Sequence, residues 1–341
     1  MIIDVHVHLV GLNPDNGCYV RSNISSGLIY HLFSWELGLT GVDRSNLDEA
    51  YRDQLVVWAE DSELDGVGIM AFDAVYDDLG YYDRERTSYY VSNEFCFEVC
   101  EYSEKLFPIA SVNPDRRDAL DELQKVSERG AVALKLLPNS QGVDPGDRRH
   151  EKFWRRVADL GLPLISHTSF EHTVPAINQE FGKPERLVPV LEQGVTVIAA
   201  HCAGSGVAHP FEEDFDTWLS MLDDHPNLFG DISAMASVSR FPYIFRVLEE
   251  EIARNRVVLG SDFPVPVAPM VFTPQLGWSK AREIAQISNP LQQNLEVFRA
   301  LGVDDGILHR GAELLRLPEG VKALEADPEH DDEDREGSDE S

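Results

Sequence analysis

A chain of 341 residues with 43% hydrophobic side chains can bury a large core, yet it holds no apolar run of the roughly 18 residues that a membrane helix needs. Its 60 Asp and Glu against 29 Lys and Arg give a formal charge of −31, which argues against nucleic acid or an anionic membrane as partner. The N-terminus has neither a basic region nor a cleavable apolar segment, so the cytoplasm is the expected location.

Ile2, Ile3, Val5 and Val7 make the first eight residues a strand. Alternate side chains on a strand share a face, so His6 and His8 point the same way, about 7 Å apart along the chain. Two imidazoles that close on a rigid element can chelate one metal ion, or they can simply bond to backbone and water. A long excursion over 9–64 follows, with turn residues at Asn13-Pro14-Asp15-Asn16-Gly17 and helices expected over 25–39 and 46–62. The run Gly66 to Ala71 reads as a buried strand. The tyrosine-rich segment 72–90 reads as a loop that either roofs a pocket or packs on its own scaffold.

From there helices and apolar strands alternate. Helices over 91–104, 115–129, 148–160, 184–193, 213–223 and 241–254 precede strands at 107–112, 131–137, 162–167, 195–201, 227–232 and 256–262, and further helices fall near 289–301 and 307–316. Eight apolar strands in βα units point to a (β/α)8 TIM barrel of class α/β, with one domain over 1–317. An open doubly wound sheet is the alternative, but its Gly-rich phosphate loop after the first strand is missing. Residues 325–341 hold ten acids and one Arg and no apolar period, and a disordered tail is expected there. Four cysteines show no metal-site spacing; Cys96 and Cys100, four apart on one helix, read as reduced packing residues.

In a parallel barrel every C-terminal strand end converges on one mouth. His6 and His8 end the first strand, Lys135 lies late in the fourth, His167 ends the fifth, His201 the sixth and Asp262 the eighth. Any one of them is explained as a cap or a satisfied hydrogen-bonder, but six on five strands of one rim are not. The segments Ile3-Asp4-Val5-His6-Val7-His8, Leu164-Ile165-Ser166-His167-Thr168, Ile198-Ala199-Ala200-His201-Cys202 and Leu259-Gly260-Ser261-Asp262-Phe263-Pro264 resemble the amidohydrolase superfamily. The resemblance is to its branch of TIM-barrel metal hydrolases that also holds the aminocarboxymuconate-semialdehyde-type decarboxylases. It covers about residues 1–317, with Gly311-Ala312 where relatives usually carry Asn-Ala.

The resemblance implies one divalent metal held by His6, His8, His167 and Asp262. Imidazoles with a carboxylate suit Zn²⁺ best, with Mn²⁺, Fe²⁺ or Co²⁺ as alternatives. It implies that Asp262 takes a proton from water and passes it to the leaving group, while His201 polarises the substrate or relays a proton. Asp4 and Asp231 are candidates to orient the ligand histidines; Asp231 also reads as a cap. Lys135 is expected as a plain cation paired with a carboxylate such as Glu171. If carbamylated, it would bridge two metals and His201 would become a ligand to the second. The expected function is a metal-dependent hydrolase cutting an amide, lactone or ester of a small molecule. A non-oxidative decarboxylase on the same site is the alternative, and a catalytically silent barrel conflicts with the intact ligand set. Arg21, Arg84 and Arg86 are candidates for a substrate carboxylate. Dimers are frequent in such families, and the apolar helix over 25–39 is a candidate contact for a homodimer.

Only seven of the 29 basic residues are Lys, and without the last 17 residues the chain still carries −22. Such spread acidity with scarce Lys resembles the cytosolic proteins of salt-in halophiles. The Debye length grows from about 3 Å at 1 M salt to about 30 Å at 0.01 M, which exposes the self-repulsion. The melting temperature is therefore expected to rise steeply from low salt to molar KCl, and a flat profile in a differential scanning series would remove the halophile reading.

Overall fold

Eight runs of aliphatic and β-branched residues form a parallel barrel in the computed structural model, which describes residues 1–21, 41–209 and 213–318. The expected helix over 25–39 and the tail over 325–341 lie outside the described residues. The barrel strands are β1 (Ile3–His8), β2 (Gly66–Met70), β3 (Leu106–Ala110), β4 (Ala133–Leu136), β5 (Leu164–Ser166), β6 (Val197–Ala199), β7 (Leu228–Asp231) and β8 (Val257–Val258). Each pairs in parallel with its neighbour in this order. The last strand returns to the first: Val5 N–H donates to Leu259 O (3.1 Å), His8 N–H to Phe263 O (2.7 Å), and Asp262 N–H to His6 O (2.9 Å). The sheet is thus a nearly closed TIM barrel, and an open doubly wound sheet is excluded.

Strand periodicity separates two faces. Leu134, Leu164, Val197, Leu228 and Val257 belong to the large apolar layer under the helices, whereas Ala133, Ile165, Ile198 and Val258 belong to a second, smaller cluster. Lys135, His167 and Asp231 lie two residues beyond Ala133, Ile165 and Phe229, on that second face. The same alternation that packs the apolar floor therefore lines up ionisable groups above it.

The helices that cover the barrel include α1 (Leu47–Glu60), α2 (Asn93–Cys100), α3 (Ala119–Glu128), α4 (Glu151–Asp159), α5 (Val188–Glu192), α6 (Asp214–Met221), α7 (Phe241–Glu249), α8 (Thr273–Ala285), α9 (Pro290–Ala300) and α10 (Asp305–Leu314). On α1, Tyr51, Leu55 and Ala59 recur every fourth residue on the buried face, and the Tyr51 hydroxyl donates to His8 O (2.6 Å). Ser92 caps α2 by accepting from Phe95 N–H (3.1 Å). Helix α8 falls where no helix is expected from the sequence: Pro264, Pro266 and Pro269 precede it, Pro274 stands in its first turn and Gly277 (φ 76°) kinks it. Gly311 lets α10 approach β1, since a Cβ there would stand 2.9 Å from Val5 Cγ1.

The tyrosine-rich segment packs on its own scaffold. Tyr89–Tyr90 pairs antiparallel with Tyr19–Val20, the Tyr89 hydroxyl donates to Leu9 O (3.1 Å), and the Tyr76 hydroxyl donates to Asp73 Oδ1 (3.0 Å). All four cysteines are free. No helix among the described residues is long and apolar enough to cross a membrane.

Ile165 is fully buried below the ionisable layer. Ile165→Ala is expected to cost about 2–5 kcal/mol, the range for deleting a buried aliphatic side chain that its neighbours cannot refill. Urea unfolding at fixed KCl measures it, and a loss under 1 kcal/mol would mean that this layer is not tightly packed.

Candidate metal centre

Three ligand-type atoms meet at the mouth. His6 Nε2 is 3.3 Å from His8 Nε2 and 3.2 Å from Asp262 Oδ1, and His8 Nε2 is 3.1 Å from Asp262 Oδ1. Two ligands about 2.0–2.1 Å from one ion at a tetrahedral angle stand about 3.3 Å apart, so this triangle has the edge lengths of a metal's coordination shell. Among the described residues His6, His8 and Asp262 form the group able to hold an ion. His167 stays outside that triangle, with its ring 5.2 Å from the His201 ring and its Nε2 3.4 Å from Glu171 Oε2. That nitrogen is buried without a hydrogen-bond partner, which leaves a donor atom in want of a ligand. The residues present fit a divalent ion.

Buried groups behind the triangle orient it. His6 Nδ1–H donates to Asp231 Oδ2 (2.8 Å), which turns the Nε2 lone pair toward the triangle. Asp231 Oδ1 accepts from His201 N–H (2.8 Å), from Ser233 N–H (3.1 Å) and from the Ser233 hydroxyl. Of the two readings of Asp231, the one as orienter of a histidine matches this bonding; it does not cap α7, which starts ten residues later. Asp4 Oδ1 accepts from His6 N–H (3.0 Å) and Ser261 N–H (2.9 Å), so it fixes the backbones of β1 and of the turn after β8 rather than a ring.

The strand ends that carry these groups are unusual in backbone. Ser169, His201, Cys202, Ala203, Ala234 and Asp262 all have φ between 49° and 69° without being glycine. Each such residue costs on the order of 1–3 kcal/mol, and such strain gathers where side chains must be aimed.

Charge in the cluster is set by burial. Burial pushes His8 down to about 4 and His201 to about 3, and with His201 and Arg240 it holds His167 well below the usual histidine range. These rings are neutral at pH 7 and carry free lone pairs. Burial works to raise the Asp262 carboxyl, but His201, His6 and His8 hold it well below the usual range. His6 is driven upward by Asp231 and Asp262 against burial and Lys135. Asp231 and Asp262 thus favour positive charge at His6 Nε2, which a cation in the triangle would supply in place of a proton.

Lys135 does not pair with Glu171. Its Nζ donates to His6 Nε2 (2.8 Å), and burial lowers its ammonium to about 8. Glu171 instead accepts from Thr173 and Val174 N–H and faces His167. The arginine candidates are also committed elsewhere. Arg21 donates to Thr87 O (3.1 Å), Arg84 stacks on the Tyr19 ring (4.9 Å), and Arg86 lines a separate cleft with Arg117 and His150. The cation beside the histidines is Arg240, 7% exposed, on the turn before α7. Nothing in its local sequence sets it apart from the other arginines; only the fold does.

No protein of curated function matches the sequence. Solved structures share the fold across nearly the whole chain. An uncharacterised TIM-barrel protein from Bordetella bronchiseptica superposes with a TM-score of 0.61 at 16% identity, covering 92% of this chain and 96% of its own. The 5-carboxyvanillate decarboxylase of Sphingomonas paucimobilis gives 0.56 at 11% identity, with 93% and 99% covered. A probable 2-pyrone-4,6-dicarboxylic acid hydrolase from Acinetobacter baumannii gives 0.54 at 16%, with 92% and 99% covered. The amidohydrolase family model matches residues 3–290, and the chain belongs to the amidohydrolase family.

Proposed function

We propose that the chain is a metal-dependent hydrolase that opens an amide, lactone or ester of a small molecule. The triangle of His6 Nε2, His8 Nε2 and Asp262 Oδ1, with edges of 3.1–3.3 Å, carries this reading. Members of the amidohydrolase family generally use a divalent metal. His6, His8, His167 and Asp262 would hold it, with Zn²⁺ the best match to neutral imidazoles and a carboxylate. When bound, such an ion lowers the pKa of water toward neutrality and polarises a carbonyl oxygen.

The side chains divide the remaining work. Asp262, ionised and buried beside three imidazoles, accepts the proton of the attacking water at a carboxylate oxygen and returns it to the leaving nitrogen or oxygen. His201 has Nδ1–H shared between the Ser233 carbonyl (3.1 Å) and hydroxyl oxygen (2.8 Å), so the neutral ring presents a bare Nε2. A bare Nε2 accepts a proton and cannot donate to a substrate oxygen, which supports the relay role for His201 over polarisation. Lys135, uncarbamylated and with its Nζ 2.8 Å from His6 Nε2, acts here as a buried cation beside the triangle. Decarboxylation on the same groups is the other outcome of the test. Purified protein is offered lactones, esters and amides on one side and unsaturated and aromatic carboxylates on the other. Turnover of the first panel supports the proposal, and carbon dioxide release without hydrolysis overturns it.

Two substitutions separate proton transfer from metal retention. Asp262→Asn keeps shape and an oxygen but removes the base, so turnover should fall at least about 10²-fold while most metal stays, measured by elemental analysis of the same preparation. His167→Ala should lose metal and turnover together. Near-normal turnover in Asp262→Asn would reassign the base to His201.

A further inference from the structure

Arg240 is buried and has no carboxylate in ion-pair contact among the described residues, unlike Arg116 or Arg299, each of which pairs with Asp or Glu. Its Nε–H donates to Gly204 O (2.8 Å) and its Nη2 to Phe170 O (3.3 Å). A guanidinium has five N–H donors, so three find no partner among the described residues. Around it stand the neutral rings of His167 and His201 and the carboxylates of Asp262 and Glu171, whose charges it feels without contact. Taking a guanidinium out of water without a carboxylate in contact is costly, and backbone carbonyls return only part of that cost.

The surroundings are built to hold the side chain there. A Cβ on Gly204 would lie 2.9 Å from the Tyr243 ring, and one on Gly206 (φ +83°) 3.1 Å from Ser239 O. Both glycines let the strand-end loop 204–206 lie flat against the turn that carries Arg240. Ser205 Oγ, in the same loop, meets Ser169 Oγ at 2.5 Å, which joins it to the turn after β5. The other buried cation of the mouth, Lys135, is already bonded to His6.

We propose that Arg240 binds a carboxylate of the substrate, so that the compounds hydrolysed are amides, lactones or esters that carry a free carboxylate besides the bond that is cut. This rests on the hydrolase reading above and adds the substrate class to it. A guanidinium fork matches a carboxylate with two parallel hydrogen bonds, and in a buried site such a pair outweighs the same contact at the surface. The anion also meets the need that the chain leaves open, since it supplies the missing counter-charge. Cutting a lactone that carries a carboxylate, or an amide or ester that carries it on the acyl side, gives a dicarboxylate, so short dicarboxylates are product-like probes.

The test is calorimetric titration of succinate and glutarate, with neutral glutaramide as reference, into metal-loaded protein at fixed KCl. Wild-type protein should bind a dicarboxylate at least about tenfold more tightly than the diamide. Arg240→Met should lose about tenfold or more of that preference with unchanged metal content, as expected for removing a charged hydrogen-bonding partner. Arg240→Lys should fall between, because it keeps the charge without the fork, and it decides the matter if the Met variant does not fold. Arg86→Met, in the separate cleft, should bind like the wild type. A purely structural Arg240 would weaken both probes alike and leave their ratio unchanged, which would overturn the proposal. So would a wild type that does not prefer the dicarboxylates. The readout is independent of turnover: lost preference in Arg240→Met together with no hydrolysis of any panel compound would remove the proposed reaction and leave this site standing.

Discussion

The Asp231 carboxylate is the joint on which the mouth of the barrel depends. It is fully buried, and burial alone would keep it protonated, yet His6 and the other donors hold its pKa well below the usual range. One oxygen takes the His6 ring N–H, and the other takes two backbone N–H groups and the Ser233 hydroxyl. A buried carboxylate with that many donors is stable as an anion. It then fixes three things at once: the tautomer of His6, the left-handed turn at His201, and the position of Ser233, which in turn sets the tautomer of His201. Strands β1, β6 and β7 are tied through one side chain.

That joint explains how strained backbone persists around the site. His201 has φ 59°, and its N–H is held by Asp231; Asp262 has φ 64°, and its N–H donates to His6 O. Each of these left-handed residues has its N–H held by a hydrogen bond. At His201, three residues beyond the inward-facing Ile198, a relaxed strand end would carry the ring to the wrong face, because a strand alternates its faces residue by residue. Strain at this end is the means by which His201 is aimed.

Much of this was legible in the sequence, and the reasons are specific. The eight strands are largely apolar runs broken mainly near their C-terminal ends, and the His-x-His pair at the end of β1 sits where period two puts both rings on one side. Helix α8 was not legible because three prolines lie just before it and Gly277, at φ 76°, interrupts its apolar period. The partner of Lys135 was not legible either: charge suggested Glu171, but the barrel brings His6 Nε2 within 2.8 Å. Arg240 was invisible among the arginines of the chain because its meaning comes from burial, and burial between three turns from distant strands has no sequence period.

The burial of Arg240 also bears on which reaction these groups perform. Hydrolysis of an acyl bond leaves a distant carboxylate of the substrate intact, so a guanidinium that holds it binds ground state and transition state alike and orients the bond to be cut. Decarboxylation breaks the bond to the carboxylate itself. A fork of hydrogen bonds on that group stabilises the charge that must flow out of it, and so raises the barrier. In the role proposed for it, Arg240 therefore favours a reaction that keeps the carboxylate. The surface of the chain does not select between the reactions: a body carrying −22 outside its last 17 residues repels any anionic substrate at long range, and screening by salt removes that repulsion while leaving a buried contact at Arg240 nearly untouched. Selection of an anion by such a chain has to occur inside the mouth, at a cation kept out of water.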